Sequence, residues 1–376
     1  MNPNFDKAIK REGTYSLKWE KYKADGLEPF WLADMDFATP KEIIKSIENV
    51  LEQEILGYTI TPEIANTAVK EYLSKNYNWQ VETESIVWIP GIVPGIEVVC
   101  RAYTEKQRDE IITFTPIYPP FLQAPLNSSK KCIQVPMKFS TIWEIDFEAL
   151  ENSISENTAI ILLSSPQNPT GRVFSKEELT KLVNICEKYQ IIICSDEIHC
   201  DIIYDKNIHT PTAQISQYAK NNTITFMSAS KTYNMPGVSC AYAIIESKEL
   251  RDKFIKTKDG IVPYVNIFGY YATATAYSEC GKWLKELIEY LKINKELLIT
   301  ELSSLGFGTS NIESTYLAWI NCNSFGENYM NIFKNAGIAV SDGKEFGLPG
   351  YIRFNFAVPR IRLINAIEQL KNVISN

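Results

Sequence analysis

The sequence is short of histidine. Among 376 residues only His199 and His209 occur. That excludes a His-rich zinc centre, and Ser-His-Asp chemistry would have to rest on one of these two side chains. None of the eight cysteines forms a C-x-x-C pair, which removes zinc ribbons and thioredoxin-like motifs, and no metal site is expected. No run of about 18 apolar residues could span a bilayer. The polar stretch Met1–Glu12 lacks the apolar core of a signal peptide. The phosphate loop G-x-x-x-x-G-K-[ST] is absent. An excess of positive charge is missing too. Lys plus Arg number 38 against 45 Asp plus Glu, for a net charge of -7, so neither nucleic acid nor an anionic membrane is an expected partner. Repeats and low-complexity tracts are not evident. These features predict a cytoplasmic protein with reduced, mostly buried thiols.

What is present is ordinary globular material, 45% hydrophobic and 22% charged. Its length suits two or three domains, or one large α/β body. Short Ile-rich runs at Ile111–Thr115, Ala159–Leu163, Ile191–Cys194, Thr223–Met227 and Cys240–Ile245 read as buried strands. Helical patterns lie between them. Ser175 to Glu178 is a capping box opening a helix to about Tyr189, and Thr39-Pro40-Lys41-Glu42 reads as another, with Pro at the first helical position. This alternation predicts parallel βαβ units, with ligands bound outside the carboxyl ends of the strands. After Gly281 come a long helical pattern to about Leu302, strands at Tyr316–Ile320, Ile338–Val340 and Ile352–Phe356, and a last helix from Arg360. The expected division is an N-terminal arm and part of a small domain at 1–49, a large domain at 50–284 and a small C-terminal α+β domain at 285–376.

Polar residues follow several of these strands. In Ser228-Ala229-Ser230-Lys231-Thr232, Lys231 stands at a sheet mouth among small residues. It is either a Schiff-base lysine or a solvated loop lysine. Asp196 ends the strand before it. A carboxylate there can hold a proton on a heterocyclic nitrogen, and it can equally cap a helix or ligate a metal. Asn168, between Pro166 and Pro169, is an amide donor or part of a plain turn. Gly91 to Gly95 opens a helix after Ile86–Ile89, and free N–H groups there suit a phosphate. Arg353, flanked by apolar residues in a late strand, is of the type that reads a carboxylate bidentately, or it faces solvent.

Together these residues resemble the pyridoxal-phosphate enzymes of the aspartate aminotransferase fold, class I/II, along essentially the whole chain. Ser165 to Gly171 (SPQNPTG) and Ser228 to Lys231 (SASK) are its specific motifs. A narrower likeness is to the cystathionine β-lyase and cysteine-S-conjugate β-lyase branch of the MalY/PatB type. It is carried by Arg11–Trp19 (REGTYSLKW), Trp31–Phe37 (WLADMDF), Ser195–Asp201 (SDEIHCD) and Ser228–Gly237 (SASKTYNMPG). In the third of these His199 stands where ordinary aminotransferases usually have Tyr.

The resemblance implies an α/β fold of the aspartate aminotransferase type, with a mostly parallel sheet covered by helices on both faces and a smaller α+β domain. It implies pyridoxal 5'-phosphate as cofactor, with Lys231 as Schiff-base lysine and Asp196 as partner of the ring nitrogen. Asn168 and His199 would lie at the phenolic oxygen and Tyr118 would stack on the ring. The backbone of Ile92 and Val93, with the hydroxyls of Ser228 and Ser230, would hold the phosphate. Tyr58 would reach the neighbouring subunit's phosphate and count with Lys231 and Asp196 as catalytic, implying a homodimer with shared sites. Arg353, with Asn168 and Asp34, would take the substrate carboxylate. One departure is Ser239, an Arg in many aminotransferases; the lyase branch shares it. The implied activity is α,β-elimination from L-cystathionine or related L-cysteine S-conjugates to pyruvate, ammonia and a thiol. The alternatives are an aminotransferase of a small or aromatic L-amino acid and a catalytically idle binding protein.

Overall fold

Runs of Ile, Leu and Val with no polar alternate fit strands that are covered on both faces. The computed structural model describes residues 3–375, so Met1 and Asn2, the start of the expected arm, and Asn376 at the end of the last domain lie outside the described residues. Seven strands form its main sheet: β1 (Ile86–Ile89), β2 (Glu110–Thr115), β3 (Lys131–Pro136), β4 (Thr158–Ser164), β5 (Ile192–Asp196), β6 (Thr223–Met227) and β7 (Ala241–Ile244), in the order β1-β7-β6-β5-β4-β2-β3. Along β4 every residue is buried. Ile160 and Leu162 join one core with Ile111, Cys194 and Phe226, whereas Ile161 and Leu163 join another with Ile112, Phe114 and Ile193. This is the period-2 alternation of a strand, with an apolar layer on each side.

Helices supply those layers. Helix Lys176–Tyr189 starts at the expected capping box, Ser175 and Glu178 satisfying each other's backbone N–H, and presents Leu179, Leu182, Val183 and Cys186 to the sheet. On the other face, helix Ile92–Ala102 packs so closely that a Cβ on Gly95 would lie 2.6 Å from the Phe226 ring and 2.7 Å from Ile89. The expected box at Thr39–Glu42 does not form. Pro40 itself is the N-cap of helix Lys41–Leu51 and has no side-chain acceptor to offer, while the Thr39 hydroxyl donates instead to the carbonyl of Asn234 at 2.8 Å.

The parallel expectation holds for β2 to β6 but fails for β7, which runs antiparallel to both β1 and β6. The connection from β6 contains only a short 3-10 turn at Pro236–Val238, closed by Ser239 at φ 53. With no crossover helix the chain returns in the opposite sense.

The C-terminal sheet is smaller and antiparallel: β8 (Gly308–Thr309), β9 (Leu317–Asn321), β10 (Ser341–Asp342) and β11 (Tyr351–Asn355), in the order β8-β9-β11-β10. In β11, Ile352 and Phe354 point into a core shared with helices Gly281–Ser304 and Arg360–Ser375. Arg353, between them, turns the other way, over the Phe346 ring at 4.8 Å. The N-terminal segment joins this unit. Glu28–Pro29 pairs in parallel with Ile338–Ala339, and Phe5 packs against Trp283 and Tyr290.

Candidate active site

Five loops at the carboxyl ends of β1, β2, β4, β5 and β6 converge on a cavity of about 210 Å³, closed from the other side by Arg353 of β11 and by Leu32 and Ala33. Its wall holds Ile92, Val93, Tyr118, Asn168, Asp196, His199, Ser228, Ser230, Lys231 and Arg353. Residues spread over more than 250 positions of sequence thus meet at the sheet mouth, where an open α/β sheet takes its ligands.

Lys231 is partly exposed to this space, and its Nζ donates to the carbonyl of Ala33 at 2.7 Å. Burial and the nearby Arg353 bring its ammonium down to about 8, against the opposing pull of Asp34 and Asp196. An amine so placed loses its proton at mildly alkaline pH, well below an ordinary lysine. Asp196 ends β5, and its Oδ1 accepts the N–H of Ile198 at 3.1 Å. Burial pushes its carboxyl up to about 7, although the Ile198 N–H and Lys231 pull the other way. It is a carboxylate that gains from a cationic partner.

His199 lies one turn beyond, its ring edge on Tyr316. Burial, with Lys231 and Arg353 near, holds its imidazole down to about 3, so it is neutral. Its Nδ1 is buried and has no hydrogen-bond partner among the described residues. Asn168 sits in the turn after β4, its N–H bonded to Ser164 Oγ at 3.2 Å and its Oδ1 accepting from Arg353 Nη1 at 3.1 Å. That leaves Nδ2 to donate. Arg353 also gives Nη2 to the carbonyl of Trp31 at 2.9 Å, and its buried Nε has no partner among the described residues. Burial lowers the guanidinium to about 10, so it stays charged.

The far end of the cavity is built of small donors. Ser228 Oγ lies 2.9 Å from Ser230 Oγ and 2.6 Å from the carbonyl of Cys240, and it accepts the N–H of Ser230 at 3.0 Å. Beside them helix Ile92–Ala102 begins, with Gly91 as N-cap and no side chain covering its first N–H groups. Tyr118 caps helix Pro119–Asn127, and its N–H bonds the carbonyl of Asn168 at 3.1 Å. Burial raises its phenol, so the ring stays neutral and able to stack.

Two expected residues lie elsewhere. Asp34 does not line the cavity; its carboxylate is taken by Arg11 at 2.7 Å. Tyr58 is fully exposed, in an irregular segment with the largely exposed Ile55, Leu56 and Ile60. Three polar or aromatic side chains of neighbouring segments also stay off the cavity wall. Trp31 turns its indole N–H to the carbonyl of Lys18, Tyr264 is 80% exposed, and Asn266 caps helix Ile267–Glu279. His209 is buried against Glu197, Nε2 to Oε2 at 2.7 Å, a structural pair.

The model of the aminotransferase class I and II family matches residues 32–370. The chain is 30% identical to the cystathionine β-lyase PatB of Bacillus subtilis, over 99% of this chain and 100% of that one. It belongs to the aminotransferase class I and II family. Cystalysin from Treponema denticola, whose structure contains a pyridoxal 5'-phosphate cofactor, superposes with a TM-score of 0.96 at 31% identity, covering 100% of this chain and 99% of that one. The pyridoxal-phosphate-bound C-S lyase from Staphylococcus hominis gives 0.92 at 30% identity, over 100% and 98%.

The cavity fits the group those family structures carry. It combines a lysine amine, a carboxylate that gains from a cation, an unpartnered imidazole nitrogen and an amide donor at one end, with hydroxyls and free N–H groups at the other. The backbone also takes part here, in a way no side-chain motif signals. The carbonyls of Trp31 and Ala33 receive Arg353 and Lys231, and Ala33 also accepts from Tyr316 Oη at 3.1 Å. Asn355 and Asn234 hold the same segment. The available signal was an Asn three residues after the lysine and another two after the arginine.

Proposed function

We propose that this protein is a pyridoxal-phosphate-dependent carbon–sulfur β-lyase, cleaving L-cystathionine or a related L-cysteine S-conjugate to pyruvate, ammonia and a thiol. The observation that carries the reading is the meeting of Lys231, Asp196 and Arg353 in one cavity, in a chain that aligns end to end with a cystathionine β-lyase. Bound pyridoxal phosphate supplies an electron sink for the charge left when a Cα proton is removed.

The chain's own residues do the rest. Arg353, whose guanidinium lines the cavity with Nε unpartnered among the described residues, would pair with the substrate α-carboxylate. The neutral amine of Lys231 takes the Cα proton. Once charged, its Nζ has the Ala33 carbonyl as acceptor. Asp196 keeps the proton on the ring nitrogen, a role supported by its buried carboxyl, which ionises readily only beside a cation. Asn168 Nδ2 and the neutral His199 would serve the phenolic oxygen, and Tyr118 would lie against the ring. The N–H groups of Ile92 and Val93 and the hydroxyls of Ser228 and Ser230 would hold the phosphate. With Ser239 in place of an arginine, these neutral donors and the helix N-terminus meet its charge.

A homodimer completes the proposal. Tyr58, outside its own cavity, would reach the partner's phosphate, and the exposed Ile55, Leu56 and Ile60 beside it would be covered. A cytoplasmic setting is supported by eight cysteines that form no disulfide. The division into a large domain at 50–284 and a small one from both ends of the chain is kept, supported by the pairing of Glu28–Pro29 with Ile338–Ala339.

The test is turnover of L-cystathionine with and without a keto acid. Pyruvate and thiol are expected without it. Turnover that strictly requires the keto acid would mean transamination and overturn the reading.

A further inference from the structure

Leu32 and Ala33 of the segment 31–37 close one side of the cavity, and two cations from different elements end on the segment's backbone. Arg353 Nη2 donates to the Trp31 carbonyl at 2.9 Å and Lys231 Nζ to the Ala33 carbonyl at 2.7 Å. Both cations have a neighbour that grips the same strip. Asn355 donates from Nδ2 to the carbonyls of Leu32 and Asp34, each at 2.6 Å. Asn234 accepts from Met35 N at 2.9 Å and donates to the Met35 and Phe37 carbonyls at 3.0 and 2.7 Å. Where this strip lies therefore sets where both cations rest.

A buried ion cluster holds the strip from behind. Asp36 is 2% exposed. Its Oδ1 accepts from Arg11 Nη1 at 2.6 Å and Trp19 Nε1 at 3.1 Å, and its Oδ2 from Lys18 Nζ at 2.9 Å and Arg362 Nη1 at 2.7 Å. Lys18 is fully buried. Asp34 and Glu28 complete the set, pairing with Arg11 and Arg362, so three cations face three carboxylates. Burial alone would push the Asp36 carboxyl up, yet Lys18, Arg362 and Arg11 hold it below the usual range, so it is ionised. Such clusters return little net stability over apolar packing, because desolvation offsets the attraction. Their geometry, however, is strict. This one gathers the N-terminal arm (Arg11, Lys18, Trp19) and the C-terminal helix (Arg362) onto one aspartate behind the catalytic wall.

We propose that Asp36 is a positioning residue for the reaction: through the strip 31–36 it sets the placement of Lys231 and Arg353, and the N-terminal arm is part of the active site's support. This rests on the roles proposed above for those two cations. The test compares the holoenzyme with Asp36→Asn and Asp36→Glu. The readouts are the pH titration of the lysine–cofactor absorption band without substrate, the separate KM and kcat values, and thermal unfolding. Asp36→Asn should move the titration midpoint by about half a pH unit or more and raise KM for the amino acid more than it lowers kcat, with Asp36→Glu part-way back. If Asp36→Asn does not fold, Arg11→Gln, whose side chain sits at the 21% exposed rim of the cluster, is read the same way. A lowered melting temperature with midpoint and KM unchanged would make the cluster merely structural and overturn the inference alone. A parent enzyme with no pH-dependent band would instead overturn the role of Lys231, and this inference with it.

Discussion

Replacing Arg353 by methionine removes the one guanidinium on the cavity wall while keeping an apolar stem over Phe346. The lost pairing is buried and hydrogen-bonded, a class of contact whose truncation costs about 2–5 kcal/mol. At about 1.4 kcal/mol per decade this is roughly a 30-fold to several-thousandfold fall in kcat/KM for an L-amino acid substrate. A second effect follows from the same charge. Arg353 is one of the groups that bring the Lys231 ammonium down to about 8. Its removal should therefore move the acidic limb of the pH–rate profile to higher pH, because Lys231 must be neutral to take a proton. The discriminating assay compares the L-cysteine S-conjugate with the corresponding S-substituted cysteamine, which has no carboxylate. Arg353→Met should penalise the first and leave the second nearly unchanged. An equal loss for both would refute the reasoning. It would mean that Arg353 acts only by holding Asn168 and Trp31, which it bonds at 3.1 and 2.9 Å.

Asp196 gives a prediction on the cofactor-free protein. Its carboxyl is pushed from the ordinary value of 3.8 up to about 7 by burial. Between those values the folded state binds a proton that the unfolded chain has released, so stability falls as pH rises through the window, by up to ~4 kcal/mol. Asp196→Asn should flatten that slope in urea unfolding at about pH 5 and pH 8; an identical slope in both proteins would rule the effect out. For Tyr58, mixing Tyr58→Phe chains with Lys231→Ala chains should yield more activity than either alone, through hybrid dimers with one intact site. Size-exclusion evidence of mixing with no gain in activity would argue against a shared site.

Much of the site was legible because catalytic chemistry restricts residue type locally. Lys231 among serines, Asp196 at a strand end and Asn168 between prolines each stand immediately after a short apolar run, and all line the cavity. Thr39 was misread as a cap because its hydroxyl is used by Asn234, nearly two hundred residues away. Asp34 and Asp36, two carboxylates in one motif, carry no local sign that their partners are Arg11, Lys18 and Arg362.

The amino-acid sequence by itself determined the strands buried on both faces, since such a run must be apolar throughout, but not the largely exposed edge strand Lys131–Pro136; it also determined the helix start at Ser175, since a capping box is satisfied within four residues. It also placed the reactive side-chain types at strand ends. Only the tertiary structure decided that β7 runs backwards, that Arg353 arrives beside Asn168 from a separate sheet, and that the carbonyls of Trp31 and Ala33 receive the two cations. Those contacts join segments with no periodicity in common. Their partners are set by how layers pack, and a backbone carbonyl is the same group in every residue, so its role appears only when a donor is brought to it.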